Sequence, residues 1–388
     1  MNDVDPDRPI TYRSGALPNA AKIRVLFVEM ALGFGGSAKS LLELVAAMTD
    51  VEAFVLSSFA IEASSIRAIR VAPAEYSGPA SRAMGYLRDL QFQIMWIAAV
   101  IRAARAHKVD IVHVNNGLSL NVAAMIAARV LRIPLVVHQR GWEAPSKKLE
   151  LAKRLLGKAP VIAISKAVRD HLLTLQLNAD RVRQIYDVVL APTRPTQERI
   201  PTGVLHVGMH GMLTEWKGHR LLIQAAATLN QLSPGAFRFS IAGGTVPGQE
   251  SYVESLISAI RELGLSGIVE LVGHTDNVYE FLNGIDISVH ASISPEPLGR
   301  VIVEAQLAGV CVVAANAGGA AELVSDSCGI LLDPTSVDSL VQAIQSAASS
   351  SQHRGDVAAR GRDRAHDLFN TTRLASAVRD VYQTQTGR

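Results

Sequence analysis

Cysteine is nearly absent from this chain of 388 residues, which contains only Cys311 and Cys328. Two cysteines are too few for the disulfide framework of a small secreted domain or for a zinc site. Both lie in stretches that are predicted to be core strands or strand edges. A reducing cytoplasm is therefore the expected compartment.

Long apolar runs and a strong net charge are also missing. The most apolar helical stretch, Ile94 to Ile101, is far shorter than the roughly 18 to 20 residues that cross a bilayer. The net charge is only +3, and aromatic residues make up 5% of the chain without alternating with basic ones. The sequence therefore predicts no transmembrane anchor and no nucleic-acid partner.

The composition is that of a globular protein, with 48% hydrophobic and 19% charged residues. The length fits two domains better than one. Residues 1–21 are polar, contain prolines and carry charges of both signs. They lack the basic and apolar regions of a signal peptide, so we expect a disordered N-terminal arm and no secretion signal.

Apolar strand-like runs alternate with helical patterns along the chain, which is typical of a parallel sheet covered by helices on both faces. Strands are predicted at residues 22–28, 54–57, 111–114, 135–138, 161–164, 204–209, 237–242, 269–272, 285–290 and 310–314. Helices are predicted at residues 40–48, 86–106, 120–131, 146–158, 218–232 and 250–263, with a short helix from Lys166 and further helical stretches from about Val337 onward. The fold class is therefore α/β, with doubly wound Rossmann-like sheets.

Residues 191–203 contain three prolines in a polar stretch without periodicity, which indicates a domain boundary. We expect an N-terminal domain at 22–190 and a C-terminal domain at 204–365, facing each other across a ligand-binding cleft. Residues 366–388 are expected to form a helix that packs back on the first domain.

Two carboxylates, Glu296 and Glu304, enclose the stretch EPLGRVIVE at the start of a predicted helix. Backbone N–H groups around Gly299 and Arg300, at the positive end of the helix dipole, favour a bound phosphate. Carboxylates accept hydrogen bonds from hydroxyls. The pattern suits a diphosphate flanked by a sugar and a ribose, although two unrelated surface glutamates are the simpler alternative.

Lys217 follows one predicted strand and precedes a predicted helix, which places it at the edge of the expected cleft. Its ammonium would supply the full positive charge that a diphosphate leaving group requires. The alternative is an exposed lysine in the first turn of a helix. Gly243 and His274 follow other predicted strands and are candidate contacts for the nucleotide base.

The segment from Gly33 to Ser40, GFGGSAKS, would match a P-loop if Ala38 were glycine. A P-loop also needs an aspartate at the end of another strand, where this chain has Asn115 and Asn116. A glycine turn that approaches a diphosphate through Gly35 and Gly36 fits better, with a P-loop-like nucleotide hydrolase as the alternative.

From about Val204 to Pro334 the chain resembles the second domain of family 4 retaining glycosyltransferases, which have the GT-B fold. The resemblance is carried by GMLTEWKG, IAGG, LVGHTDNV and EPLGRVIVEAQLAG, followed by Glu322 and GILLDP. The first half is similar through GFGGSAKSLLEL, VDIVHVNN and IPLVVHQRGW.

This resemblance implies that Glu296 contacts the hydroxyls of the donor sugar and that Glu304 contacts the ribose. The implied phosphate-binding groups are Lys217 and the amides of Leu298, Gly299 and Arg300, completed by Gly35 and Gly36. The implied activity is retaining transfer of a sugar from a nucleotide diphosphate sugar to a saccharide or lipid-linked acceptor, without a cofactor. No metal is expected, because the Asp-x-Asp pattern occurs only in the N-terminal arm, as Asp3-Val4-Asp5 and the overlapping Asp5-Pro6-Asp7. A non-catalytic nucleotide-sugar binding protein is a further alternative.

Two positions depart from the family pattern. After Gly211 the family commonly has an arginine, and this chain has Met212, so Arg300 or Arg140 is the candidate to replace the missing charge at the donor. Arg140 also stands where the family often has histidine. His138, two residues earlier, faces the same way on its strand. We expect Arg140 to bind substrate or leaving-group charge and His138 to contact the acceptor or handle a proton, unless His138 is a hydrogen-bonded core residue.

The segment Ser146 to Lys158 places Leu149, Ala152, Leu155 and Leu156 on one helical face and five basic residues elsewhere. Such a helix can lie on an anionic membrane surface, although an ordinary solvated helix is also consistent with the pattern. The expected localisation is cytoplasmic, with peripheral association at the inner face of the membrane.

Overall fold

The computed structural model describes residues 22–31, 35–61, 66–70, 82–192, 203–324 and 327–387. The expected arm at 1–21, with Asp3-Val4-Asp5, lies outside the described residues, as do Gly33, Phe34 and most of the proline-rich boundary segment. The chain divides into two compact units. The first contains the described residues up to Val188 and from Thr371 onward, and the second is Val189–Asn370.

Thirteen strands are found within the described ranges. They are β1 (Ile23–Glu29), β2 (Val51–Ser57), β3 (Ile66–Arg70), β4 (Ile111–Val114), β5 (Leu135–Gln139), β6 (Val161–Ala163), β7 (Val182–Gln184), β8 (Leu205–His210), β9 (Phe237–Ala242), β10 (Val269–Gly273), β11 (Ile287–His290), β12 (Cys311–Ala315) and β13 (Ile330–Leu332). Most are nearly continuous apolar runs, as expected for strands that are buried on both faces.

The same ranges contain thirteen α-helices. They are α1 (Gly36–Ala47), α2 (Arg82–His107), α3 (Val122–Leu131), α4 (Lys147–Leu156), α5 (Lys166–Thr174), α6 (His219–Leu232), α7 (Glu250–Glu262), α8 (Val278–Asn283), α9 (Arg300–Leu307), α10 (Ala320–Leu323), α11 (Val337–Ala348), α12 (Ser351–Leu368) and α13 (Thr371–Thr386). No helix in the described part of the chain has the length and apolar character needed to cross a membrane.

The two units contain one parallel sheet each. The strand order is β3-β2-β1-β4-β5-β6-β7 in the first sheet and β10-β9-β8-β11-β12-β13 in the second. In both, the chain builds one side of the sheet and then returns to the other side of its first strand. The switch points lie between β1 and β4 and between β8 and β11, and ligands of doubly wound sheets bind at the carboxyl ends of such strands.

The predicted α/β class with two doubly wound parallel sheets is confirmed. The elements that the sequence did not predict are short or lie at an edge: β3 is an edge strand with exposed arginines, β7 has three residues and α8 has six. Such segments bury too little apolar surface to show a clear period. The last helix, α13, packs on α1 and β4 of the first unit, whereas α11 and α12 belong to the second.

Helix α4 covers most of the stretch proposed as an interfacial helix. Ser146 caps it by accepting a hydrogen bond from the N–H of Leu149. Its apolar residues Leu149, Ala152 and Leu156 are buried in the unit, so this face is occupied by the protein core. The geometry matches the alternative of an ordinary surface helix, and membrane contact stays a prediction.

Candidate functional site

The second sheet presents a cluster of buried polar side chains at its carboxyl edge. The adjacent strands β8 and β11 end in His210 and His290. The loops that follow these strands contain Lys217 and Glu296, and α9 carries Glu304. Each of these five residues is less than 10% exposed. The switch point of the second sheet therefore places two carboxylates, two imidazoles and one ammonium within one region of the unit.

Lys217 ends a short 3-10 turn, Glu215–Lys217, immediately before α6. Gly218 follows with φ of +82°, and a β-carbon there would lie 1.9 Å from the carbonyl oxygen of Ala291, so this position requires glycine. The ammonium donates a hydrogen bond to Glu296 Oε1 at 2.5 Å and lies 4.3 Å from the centre of the Trp216 ring. The alternative of an exposed lysine in a helical turn is therefore wrong.

Glu296 is held through one of its two oxygens. Oε1 accepts hydrogen bonds from Lys217 Nζ, from Ser292 Oγ at 2.6 Å and from His290 Nε2 at 3.0 Å. Burial raises the pKa of this carboxyl, but the bond to His290 and the charge of Lys217 outweigh it, so the pKa is lowered overall. Among the described residues Oε2 has no hydrogen-bond donor, which leaves one oxygen of an ionised carboxylate for a ligand.

Glu304 lies in the second turn of α9 and is 4% exposed. Its Oε1 accepts a hydrogen bond from Arg300 Nε at 3.0 Å, and His210 Nε2 lies 3.2 Å from its Oε2. The Arg300 guanidinium is thus directed at Glu304 one helical turn later. Replacement of the missing family arginine by Arg300 stays a prediction.

The start of α9 has the character of an anion site. Gly299 occupies the N-cap position with φ of +91°, and no side chain caps the helix. The loop before it is fixed because Gly319 N–H donates to the Glu296 carbonyl at 2.7 Å. Leu298 is buried, so only its backbone is suited to contact a ligand. An uncapped helix start of this kind favours phosphate.

The remaining predicted donor contacts of this unit occupy different environments. A β-carbon at Gly243 would lie 1.9 Å from the carbonyl oxygen of Gly211, so Gly243 is needed for close packing of two loops. Met212 is 45% exposed. His274 is also exposed and lies 3.2 Å from Asp276. Contact of any of these residues with a donor stays a prediction.

In the first unit, Gly35 is the N-cap of α1 and Gly36 is its first residue. A β-carbon at either glycine would meet no atom within 4 Å. At the switch point of the first sheet, between β1 and β4, the buried Glu29 carboxylate accepts hydrogen bonds from the side-chain amides of Asn115 and Asn116. Burial raises the pKa of Glu29 against the opposing effect of these bonds. The asparagines therefore pair with Glu29.

Arg140 is enclosed at the same edge of the first sheet, where its side chain is 4% exposed. Its Nε donates to Asn115 Oδ1 at 2.8 Å, one terminal nitrogen bonds Asp187 Oδ1, and the other lies 3.3 Å from His138 Nδ1. Burial raises the pKa of Asp187, but the charge of Arg140 outweighs this and holds the pKa below its usual value. All three guanidinium nitrogens are thus engaged within the first unit, and binding of substrate charge by Arg140 stays a prediction.

A chain of buried side chains continues from Arg140 through His138. His138 Nδ1 lies 3.3 Å from His113 Nε2, and the Tyr382 hydroxyl lies 2.7 Å from His113 Nδ1. Burial and the charge of Arg140 lower the pKa of His138 to about 4, and burial holds the pKa of His113 well below its usual value. Both imidazoles are therefore neutral at pH 7. The geometry matches the alternative of a core histidine for His138, and its role with the acceptor stays a prediction.

Sequence reasoning missed several members of these clusters. They are Glu29, Asp187, His210, His290, Ser292 and Tyr382. The two strand-ending histidines share a signal that was available: a polar residue ends a buried strand beside the switch point of the sheet. Asp187 and Tyr382 carry no such signal, because only the folded chain brings them to their partners.

Two family models match the sequence. The model described as Glycosyltransferase Family 4 matches residues 34–191, and the model described as Glycosyl transferases group 1 matches residues 192–364. The lipopolysaccharide core biosynthesis glycosyltransferase LpsE of Rhizobium meliloti is 30% identical over 44% of this chain and 46% of its own length. Alpha-maltose-1-phosphate synthase of Mycolicibacterium smegmatis is 26% identical over 58% of this chain and 62% of its own length. The chain thus spans about half to three-fifths of these two relatives.

Solved structures extend the likeness to both units. The crystal structure of Anabaena HepE in complex with UDP and glucose is 25% identical, with a TM-score of 0.76, and the match covers 93% of this chain and 100% of that one. The two family models together run from residue 34 to residue 364. This chain therefore belongs to the family 4-type glycosyltransferases with the GT-B fold.

Proposed function

We propose that this protein is a retaining, metal-independent glycosyltransferase. It moves a sugar from a nucleotide diphosphate sugar to a hydroxyl of a saccharide or lipid-linked acceptor. One observation carries the proposal: the buried ammonium of Lys217 pairs with the buried carboxylate of Glu296, which precedes the uncapped start of α9, and the buried Glu304 lies in the second turn of that helix. That set of groups suits a diphosphate between two hydroxyl-bearing groups.

The donor is assigned to the second unit, and the acceptor to the first. In the donor site the diphosphate binds the first amides of α9 together with Lys217. The sugar hydroxyls bind Glu296 and the ribose binds Glu304. Anabaena HepE has been solved with UDP and with UDP-glucose, and this supports a nucleotide sugar as the class of donor.

The proposed reaction needs charge stabilisation more than a strong base. The bond from the anomeric carbon to the phosphate oxygen breaks while the acceptor oxygen attacks from the same face, so the anomeric configuration is retained. The acceptor proton passes to the departing phosphate oxygen. Lys217 and the helix start neutralise the charge that develops on the diphosphate, which is the type of stabilisation that contributes most in many enzymes.

Metal independence is part of the proposal. In the described ranges no three His, Cys, Asp or Glu side chains are grouped so that they would hold an ion. Transfer should therefore continue at an unchanged rate in excess EDTA. Loss of transfer on chelation, restored by magnesium or manganese, would refute this part alone.

Donor specificity can be measured directly. Release of nucleoside diphosphate from uridine, guanosine and adenosine diphosphate sugars would be followed with and without a panel of saccharide and lipid-linked acceptors. We expect one base to be preferred and release to depend on an acceptor. Magnesium-dependent hydrolysis of ATP or GTP without any acceptor would favour the P-loop-like hydrolase instead, and donor binding without any transfer would favour a binding protein.

Glu304→Gln tests the donor site within the same experiment. Its loss of charge should weaken binding of the preferred nucleoside diphosphate by roughly tenfold, because a hydrogen bond to a charged group contributes about 1.5–3 kcal/mol. Glu262→Gln, at the exposed end of α7 in the same unit, is the matched control. Equal affinity of Glu304→Gln and the parent protein would contradict the assignment.

Peripheral membrane association is proposed through the basic residues of 146–158. Because the apolar face of α4 is buried in the first unit, the attraction would be electrostatic and would disappear at high salt. Sedimentation with anionic vesicles at low salt tests this. Equal sedimentation with neutral vesicles would argue against it.

A further inference from the structure

Two adjacent strands of the second sheet end in histidine, and each histidine contacts one of the two glutamates. His290, the last residue of β11, lies 3.0 Å from Glu296 Oε1. His210, the last residue of β8, lies 3.2 Å from Glu304 Oε2. In both cases the contact is made by the Nε2 atom. The strands β8 and β11 pair in parallel through Ser288 and Gly208, so the two histidines follow this pair by the same number of residues.

Both imidazoles are buried and each has one nitrogen without a partner. His210 is 6% exposed and His290 is 4% exposed. Among the described residues, neither Nδ1 atom has a hydrogen-bond partner. An unsatisfied buried polar atom costs about 1–3 kcal/mol, and such atoms in native structures call for a specific explanation. A purely structural position would accommodate an apolar side chain at lower cost.

The proton positions follow from the partners. The lowered pKa keeps Glu296 ionised, so its oxygens only accept hydrogen bonds. The Ser292 hydroxyl also donates to the same oxygen. His290 therefore carries a proton on Nε2 and donates it to the carboxylate. The second oxygen of Glu296 is left for a ligand.

We propose that His290 and His210 are positioning residues for the donor, His290 through Glu296 and His210 through Glu304. The inference rests on the proposed function. Lys217 alone is a poor anchor for Glu296 during the reaction, because the same ammonium must also face the diphosphate. An imidazole on the last residue of a buried strand is rigid, and it keeps the carboxylate in place when the lysine changes its partner.

The two histidines should affect different ligands. Glu304 is assigned to the ribose, which is present in the free nucleoside diphosphate and in the nucleotide sugar. Glu296 is assigned to the sugar, which only the nucleotide sugar contains. Loss of His210 should therefore weaken the binding of both ligands equally, whereas loss of His290 should weaken only the binding of the nucleotide sugar.

The experiment uses two replacements at each position. In Gln the amide nitrogen reaches about as far as Nε2 of histidine, and in Asn it does not. For His290→Asn we expect the affinity for the nucleotide sugar to fall by roughly tenfold while that for the nucleoside diphosphate is unchanged. For His210→Asn both affinities should fall by roughly tenfold. His290→Gln and His210→Gln should restore most of the loss.

The preferred nucleoside diphosphate and its glucose conjugate are the probes, and calorimetric titration is the measurement. His206→Asn is the matched control, since His206 lies on β8 and bonds the Gly284 carbonyl and Ser240 Oγ, both at 2.7 Å. It should bind both ligands like the parent protein. A His290→Asn/Glu296→Gln double variant should be no weaker than Glu296→Gln alone, because the histidine acts through the carboxylate.

The outcomes separate this inference from the function on which it rests. If the parent protein binds no nucleoside diphosphate, the proposed function fails. If the parent protein binds and both Asn variants bind the two ligands as tightly as the parent does, the positioning role is wrong. The same conclusion follows if each histidine variant weakens both ligands to the extent that His206→Asn does, because the effect would then reflect general destabilisation.

Discussion

The carboxyl edges of the two sheets carry buried polar clusters of opposite character. In the first unit, Arg140 directs every guanidinium nitrogen to groups of the same unit. In the second, Glu296 has one oxygen without a donor and His210 and His290 each have a nitrogen without a partner, among the described residues. The first cluster engages its whole guanidinium and leaves His138 Nε2, 3.5 Å from Asp187 Oδ1, without a hydrogen bond, whereas the second leaves a carboxylate oxygen and two imidazole nitrogens for a ligand.

This difference separates a structural use of buried charge from a functional one. A fully paired buried network makes the surrounding core rigid and is costly to break. A cluster with unpaired atoms is costly as it stands, and a ligand that supplies the missing partners removes that cost. Substitutions in the first cluster should therefore lower stability, and substitutions in the second should lower activity.

The largest effect is expected for Arg140→Met. It leaves the Asp187 carboxylate buried without its cation, and breaking such a pair costs about 3–5 kcal/mol of unfolding free energy. Urea unfolding at pH 7 measures this loss. Arg169→Met is the control, because Arg169 pairs with Asp170 at the surface and should change stability by less than about 1 kcal/mol. Equal unfolding curves for Arg140→Met and the parent would show that the first cluster is not structural.

Lys217→Met should act mainly on catalysis. Removal of the ammonium takes away the full charge opposite the departing diphosphate, and loss of one such group typically lowers turnover by about 10²–10³-fold. Steady-state transfer at saturating donor is the measurement. Lys153→Met provides the comparison, since Lys153 pairs with Glu150 on α4 of the first unit. A turnover loss below about threefold would contradict the role of Lys217 in charge stabilisation.

Acid should weaken the first unit more than the second. The pKa of His138 is about 4 in the folded protein and about 6.5 in the unfolded chain. The unfolded chain therefore binds more protons between these values. Stability is complete above pH 6.5 and declines as the pH falls toward 4, by about 3 kcal/mol for this group.

Among the described residues of the second unit, His219 is the histidine with a clearly lowered pKa, at about 4. The first unit has two histidines with a lowered pKa, His138 and His113. Hydrogen exchange at pH 7 and pH 4.5 should accordingly show a greater loss of protection in β4 and β5 than in β8 and β11. His138→Gln should reduce this dependence. Equal losses in both sheets would contradict the comparison.

The smallest effect is expected for Tyr382→Phe, which removes one hydroxyl from the first cluster. His113 Nδ1 loses its donor while the ring remains packed, so unfolding free energy should fall by about 1 kcal/mol. Thermal unfolding measures the change. Tyr279→Phe is a useful comparison, because its hydroxyl donates to the Leu190 carbonyl of the second unit. A loss of transfer activity in Tyr382→Phe without a loss of stability would assign the first cluster to catalysis.

Much of the architecture was predictable because the strands are continuous apolar runs between turn residues. The pairing of Lys217 with Glu296 was not predicted as a contact, although both residues were selected for the site. Their positions after neighbouring strands of a doubly wound sheet explain the encounter. Arg140 was selected for its place in the sequence, but its burial depends on Asp187, which lies in a segment without periodicity.

Tyr382 shows the limit of reasoning from the sequence. Its partner His113 is 269 residues away, and the contact exists only because α13 belongs to the first unit. Met212, in contrast, could be found from the sequence. The resemblance identified the missing arginine, and the structure places an exposed methionine at that position. Local patterns determine the elements, while pairings between distant segments determine which charges are satisfied.

The place of α13 also bears on how this protein is synthesised. The second unit is one uninterrupted segment, so all of its residues are translated before α13 is. The first unit lacks the Tyr382 side chain, which is fully buried in the folded protein, until α13 itself has been translated. The core of the first unit is therefore completed only after every residue of the second unit has been synthesised.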